Sequence, residues 1–222
     1  MCFSANASFT AGTVLSVIGA ISVRKVKSPS QLFFASIPVI FAIQQFSEGF
    51  LWLSLTKPAF AELKTYMTYI FLFFAQIVWP FWVPFAVMKM KPSNEKNVFG
   101  KVLIMCGSIV SLYLGYCLLN YSVDARADGM HITYDQPYPK SVAFICGILY
   151  VFATVFPPFF VGIKRMWLLG IAILISYVVT TVFYNEYLVS VWCFFASVIS
   201  IAVYSVVNEL EGESSRVTSS VI

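Results

Sequence analysis

The sequence predicts an all-α polytopic membrane bundle of about seven helices, with the N-terminus outside, the C-terminus cytoplasmic and a short outer hairpin loop between helices four and five. Three observations predict it. Hydrophobic residues make up 59% of the chain and charged residues only 11%, where a soluble globule carries roughly a quarter charged. The charges cluster, leaving apolar runs of about 20 residues, enough helix to cross roughly 30 Å of hydrocarbon. Lys and Arg also divide unequally between alternate loops. Arg24, Lys25, Lys27, Lys89, Lys91, Lys96, Lys101, Lys164, Arg165 and Arg216 lie on one side, and Lys57, Lys64, Arg126 and Lys140 on the other. The positive-inside rule makes the first set cytoplasmic.

In lipid every backbone polar group must be paired within its own segment or a closed barrel. Runs this uniformly apolar do not alternate as strands, so each is read as a helix. Span one covers 5 to 23. Its positive residues follow the apolar run instead of preceding it, so it reads as a retained helix and not a cleaved signal peptide. Ser8, Gly12, Ser16 and Gly19 share one face, where small residues let a neighbouring helix approach.

Span two, 32 to 55, carries the stretch QQFSEG. Gln44, Glu48 and Trp52 follow each other at i, i+4, with Gln45 on the adjacent side, so they form one stripe. A rise of about 1.5 Å per residue from the cytoplasmic start puts Glu48 in the outer third of the bilayer. An ionised carboxylate there costs at least a few kcal/mol, so it is expected to be protonated, paired or turned to a wet cavity.

Span three, 65 to 88, aligns Tyr69 and Gln76 with Trp79 one turn on. Pro80 and Pro84 in the same span are expected to bend it or free carbonyls. Span four covers 98 to 119, and the loop 120 to 140 follows it. Asp128-Gly129 is a turn signal with flanks suited to a short hairpin. His131, the single histidine of the chain, is either a solvated loop side chain or part of a lid over an outward pocket. Span five, 141 to 163, meets span six, 166 to 184, across Lys164 and Arg165. Span six ends in Tyr184, Asn185 and Glu186. Span seven, 188 to 208, contains SVWCFFASVIS and aligns Ser190, Cys193, Ser197 and Ser200. Residues 1–208 thus read as one transmembrane domain and 209–222 as a polar, mobile cytoplasmic tail.

Together these polar groups outline an outward-facing, aromatic-walled pocket. Its candidate ligand-binding residues are Gln44, Gln45, Trp52, Gln76, Trp79, Tyr184, Asn185, Trp192 and Cys193. Glu48 is the candidate acid or base. Cys2 is the candidate nucleophile, because removal of Met1 would leave its thiol beside a free amine. Cys2, Cys193, His131 and Glu48 are also candidate metal ligands, although no CxxC or HxxxH spacing accompanies them. A disulfide between Cys2 and Cys193 is the alternative use of those two thiols.

The opening MCFSANASF, the QQFSEGFLW of span two and the SVWCFFASVIS of span seven resemble an uncharacterised bacterial family of small polytopic membrane proteins that begin Met-Cys-Phe-Ser-Ala. The likeness covers the whole chain. It implies the same fold and an emphasis on Cys2, Glu48, Trp52, Trp192 and Cys193, and it implies no reaction.

Composition and residue content exclude several functions. A retinal protein needs a lysine in its last helix, and no lysine follows Lys164. Haem held by two histidines needs a second histidine. The net charge of +4 is a topology signal, not a nucleic-acid footprint. Three readings remain, all for a protein of the plasma (inner) membrane in contact with lipid: a binding site for a small ligand, lipid or metal with thiol or carboxylate chemistry, a seven-span transporter, or a scaffold or sensor.

Overall fold

The computed structural model describes residues 4–90, 98–163 and 165–219, the side chains of Lys140 and of 212–219 excepted. Ten α-helices build the described chain: α1 (Ala5–Arg24), α2 (Pro29–Ala35), α3 (Ile37–Thr56), α4 (Lys64–Phe73), α5 (Trp79–Lys89), α6 (Val98–Asn120), α7 (Lys140–Val155), α8 (Met166–Phe183), α9 (Leu188–Ile199) and α10 (Ile201–Ser219). Pairs of these run on into one another, giving seven apolar helical segments. Six of them, Ala5–Arg24, Pro29–Thr56, Pro58–Lys89, Val98–Asn120, Met166–Phe183 and Asn185–Glu211, are long and apolar enough to cross a membrane. The protein is an integral membrane protein.

The seventh, Ser141–Val155, is shorter. The expectation of a helix to residue 163 is corrected here. Pro157 and Pro158 follow Phe156, and a proline disfavours the α conformation at the residue before it and offers no N–H to the ladder. The chain turns instead through a 3₁₀ segment, Pro157–Phe160. At the other end of the sequence, helix α10 continues past residue 208 to Ser219. Its Glu211 pairs with Lys25 (3.3 Å) and Lys27 (3.6 Å), and its Glu209 with Arg165 (3.3 Å).

Helix α1 lies along α3, and the small-residue face explains how. A Cβ added at Gly19 would meet Cγ2 of Val39 at 2.5 Å, so only glycine permits this approach. Between α4 and α5 the residues Phe74–Val78 form a π-helical turn. There the Trp79 N–H reaches back to the carbonyl of Phe74, and the same ladder would next ask Pro80 for an N–H it lacks, leaving the carbonyl of Ala75 free. Tyr150 supplies the missing donor: its hydroxyl donates to that oxygen at 2.5 Å. Ser111 likewise donates to the carbonyl of Ile77 at 2.7 Å.

The loop after α6 folds as two antiparallel strands, β1 (Asp124–Asp128) and β2 (His131–Asp135), in the register Asp128↔His131. Gly129 takes a φ of 57° and is the first of the two turn residues, and no other residue type has positive φ among the described residues. That is the pattern of a II′ turn, which suits the twist of a hairpin. Ala125 and Ile132 point down onto Leu51 and Trp52, and Lys64 pairs with Asp124 at 2.7 Å. The hairpin therefore caps one end of the bundle, while Lys25, Lys89 and Arg165 mark the other, basic end.

Candidate functional site

Helix α3 carries the polar stripe into the interior: Gln44, Gln45 and Glu48 are each 0% exposed. Each meets a different neighbour. Oε1 of Gln44 accepts the indole N–H of Trp79 at 2.6 Å, and that indole also stacks on Phe41 with centroids 3.7 Å apart. Oε1 of Glu48 accepts the hydroxyl of Ser190 at 2.7 Å, tying α3 to the first turn of α9. Neither Nε2 nor Oε1 of the Gln45 amide has a hydrogen-bond partner among the described residues.

A cavity of about 410 Å³ lies in the hairpin half, within the usual range for small-molecule sites. Gln76, from the π-helical turn, stands in its wall with Gln136 and Tyr138 from the strap between β2 and α7. The three are linked: Gln76 Nε2 donates to Gln136 Oε1 at 2.7 Å, and Tyr138 donates to Gln76 Oε1 at 3.1 Å. Burial pushes the Tyr138 phenol up to about 12, so it remains a protonated donor at neutral pH. The strap turns tightly at Pro137, where the Tyr138 N–H donates to the carbonyl of Gln136 at 2.7 Å. Opposite stands an aromatic group in which Tyr150 and Tyr177 lie 5.5 and 5.1 Å from the Trp192 ring. Cys146 and Cys193 complete the wall.

A second cavity, of about 70 Å³, lies in the basic half, lined by residues such as Phe41, Trp79, Leu169 and Val203. Tyr150, Trp192 and Cys193 line both cavities. One layer of three side chains thus separates them.

Of the residues predicted for one pocket, the structure brings Gln76, Trp192 and Cys193 to the larger cavity, and Trp79, Trp192 and Cys193 to the smaller. Gln44 and Glu48 stand behind them, bonded to Trp79 and Ser190. Gln45 is buried but in neither wall. Trp52 packs beneath the hairpin. Tyr184 makes an edge contact with His131 at 5.5 Å, and Asn185 is exposed. His131 stacks on Tyr187 at 4.4 Å, whose hydroxyl donates to Asp128 at 2.6 Å. The histidine therefore fastens the hairpin to the turn before α9 instead of reaching either cavity. Burial lowers its pKa, favouring the neutral ring.

Cys2 lies outside the described residues. Among the described residues no group of three His, Cys, Asp or Glu side chains converges as a metal set. Tyr113, Gln136, Tyr138, Cys146, Tyr150 and Tyr177 are cavity residues that sequence reasoning missed. For Gln136 and Tyr138 the Pro-flanked QPYP segment, residues 136 to 139, is a signal that could have found them.

Over residues 1–217 the sequence matches the model of a family of unknown function, DUF6629. The chain belongs to that family. No curated protein and no solved structure matches this DUF6629 member. The features that distinguish the site are therefore those of the DUF6629 chain itself: the π-helical turn, the QPYP strap and the aromatic layer between two cavities.

Proposed function

We propose that this protein spans the plasma (inner) membrane with all seven segments, hairpin end outside, and binds a small ligand in the larger cavity, in the outer half of the bilayer. The linked Gln76, Gln136 and Tyr138 at the rim of that cavity carry the reading. Concave, mainly apolar walls with a few placed polar groups are the general form of a small-molecule site. The basic end, by the positive-inside rule, supports the orientation.

Within this reading Cys146 and Cys193 are the thiols a ligand meets, because both stand in the wall. Glu48 acts through its bond to Ser190, setting the first turn of α9 and so the placement of Trp192 and Cys193. It is a positioning residue. A transporter would need a polar path on both sides of the aromatic layer. The smaller cavity has mainly apolar walls, with Thr154 and Ser200 their aliphatic hydroxyls, which favours a binding site over a path.

Native mass spectrometry of the detergent-purified protein tests the proposal. A bound small molecule is expected in the wild type and is expected to be lost in Gln76→Leu. A wild type that carries no adduct, and that no compound in a thermal-shift screen stabilises, would overturn it.

A further inference from the structure

A third opening lies against the flank of the bundle between α7 and α8, about 440 Å³ in size. It shares Ala143, Gly147, Val151 and Tyr177 with the larger cavity, so the two adjoin across those four residues. The remaining wall of the flank opening is Phe and Ile, among them Phe144 and Ile148, which are exposed on the outside of α7. Polar groups therefore stand at one end of the pair and hydrocarbon-facing side chains at the other.

The shared wall is a low one. Ala143, Gly147 and Val151 succeed each other at i, i+4 and i+8 and present one low face of α7. A Cβ added at Gly147 would meet nothing within 4 Å, so the backbone there borders open space. A water-soluble ligand arriving from the hairpin end needs no such side opening. A molecule already dissolved in the bilayer does.

The polar end restricts the head group. No charged side chain lines either opening among the described residues. A phosphate buried there would lack a cation to offset its desolvation. Amides and phenols match hydroxyl, ester or carbonyl groups, each of which can both donate to and accept from them or accept alone. Gln136 accepts from Gln76 through its oxygen, which leaves its amide N–H groups for such a partner.

We infer that the ligand is an amphiphile with an uncharged, hydrogen-bonding head and a hydrocarbon chain, which enters sideways from the bilayer between α7 and α8. The inference rests on the larger cavity being a ligand site. It places the head against Gln76, Gln136 and Tyr138 and the chain along the face of Gly147.

The full-length protein in lipid nanodiscs, a monoacylglycerol bearing a photoreactive diazirine in its chain, and a lysophosphatidate with the same chain provide the test. The monoacylglycerol is expected to label peptides of α7 and α8 in the wild type. Gly147→Leu, which fills the space beside the shared wall, is expected to cut labelling about tenfold. The variant should fold, since its side chain meets open space and leucine favours a helix over glycine. Ala143→Leu provides a second block on the same wall. Equal labelling in both variants, or equal labelling by the lysophosphatidate, would overturn the inference. If glycerol monobutyrate, which has almost no chain, stabilises the wild type while the long-chain probe labels only at background, the pocket stands and the lateral amphiphile falls. If neither binds, the lateral amphiphile falls, and a wild type that also carries no adduct and is stabilised by no compound takes the pocket with it.

Discussion

The indole of Trp79 donates to the amide oxygen of Gln44 across 2.6 Å, joining the polar stripe of α3 to the helix after the π-helical turn. Both residues are buried, so removing the acceptor strands a donor in the interior. Gln44→Leu is expected to destabilise the detergent-solubilised protein by about 1–2 kcal/mol. Trp79→Phe in the same chain should restore part of that loss, because the stranded N–H goes with it. Thermal melts of the two single variants and the double variant measure the coupling, and strictly additive losses would deny that the bond matters.

The bond from Ser190 to Glu48 should be needed for placement and not for charge. Glu48→Gln keeps an acceptor carbonyl and is expected to fold and to retain most ligand binding at the larger cavity. Glu48→Leu removes the acceptor and should weaken binding about tenfold or more through displacement of Trp192 and Cys193, about 1.4 kcal/mol in affinity. Ser190→Ala should fall between the two. Binding lost equally in Glu48→Gln and Glu48→Leu would instead assign the carboxylate a chemical role.

Two of the four described cysteines, Cys146 and Cys193, line the larger cavity, whereas Cys106 and Cys117 do not. A small lipophilic thiol reagent is therefore expected to modify Cys146 and Cys193 first. Peptide mass spectrometry over a time course reads the order. Faster modification of Cys106 would mean that the cavity does not govern access.

Gly107 faces α5 at very close range: a Cβ added there would lie 1.9 Å from the carbonyl oxygen of Pro80. Backbone cannot step aside as a flexible side chain can. Gly107→Ala is expected to cost about 1–3 kcal/mol, even though alanine is the better helix former. A melting temperature at or above that of the wild type would contradict the close contact of α5 and α6.

The hairpin should weaken in acid. The folded-state pKa of His131 is lowered from its ordinary 6.5, chiefly by burial. As the pH drops below 6.5 the unfolded chain takes up a proton that the folded chain resists, so stability falls from there down to the lowered folded value and is unaffected above it. The melting temperature should thus fall between pH 7 and pH 5.5 by more in the wild type than in His131→Phe, whose ring can still stack on Tyr187. An equal fall in both would remove His131 as the cause.

The apolar runs and the loop charges make the helical segments legible, because length and hydropathy are properties of single segments. The hairpin is legible too, from Asp128-Gly129. Helix α7 reads too long in the sequence because a hydropathy run continues through Pro157 and Pro158 while a helix does not. The polar stripe of Gln44 and Glu48 shows in its spacing. Spacing, however, says which residues share a face and not what stands opposite. Trp79 and Ser190 fill that role, so the cavity forms on the far side of them. Tyr150 escapes notice because one tyrosine in an apolar run looks like an interfacial anchor. Its task depends on a missing N–H at Pro80, 70 residues earlier in the chain.

The π-helical turn at Phe74–Val78 can be understood as a one-residue insertion accommodated within a helix. Every residue added or removed there rotates the downstream helix by about 100°. The turn therefore sets the rotational phase of α5 relative to α4. With it, Gln76 looks toward the strap while Trp79 looks toward Gln44 and Pro80 toward Gly107. A chain of this architecture with one residue fewer in the segment would be shorter by only about 1.5 Å of helix and would keep its hydropathy, yet would turn its indole and its prolines to different neighbours.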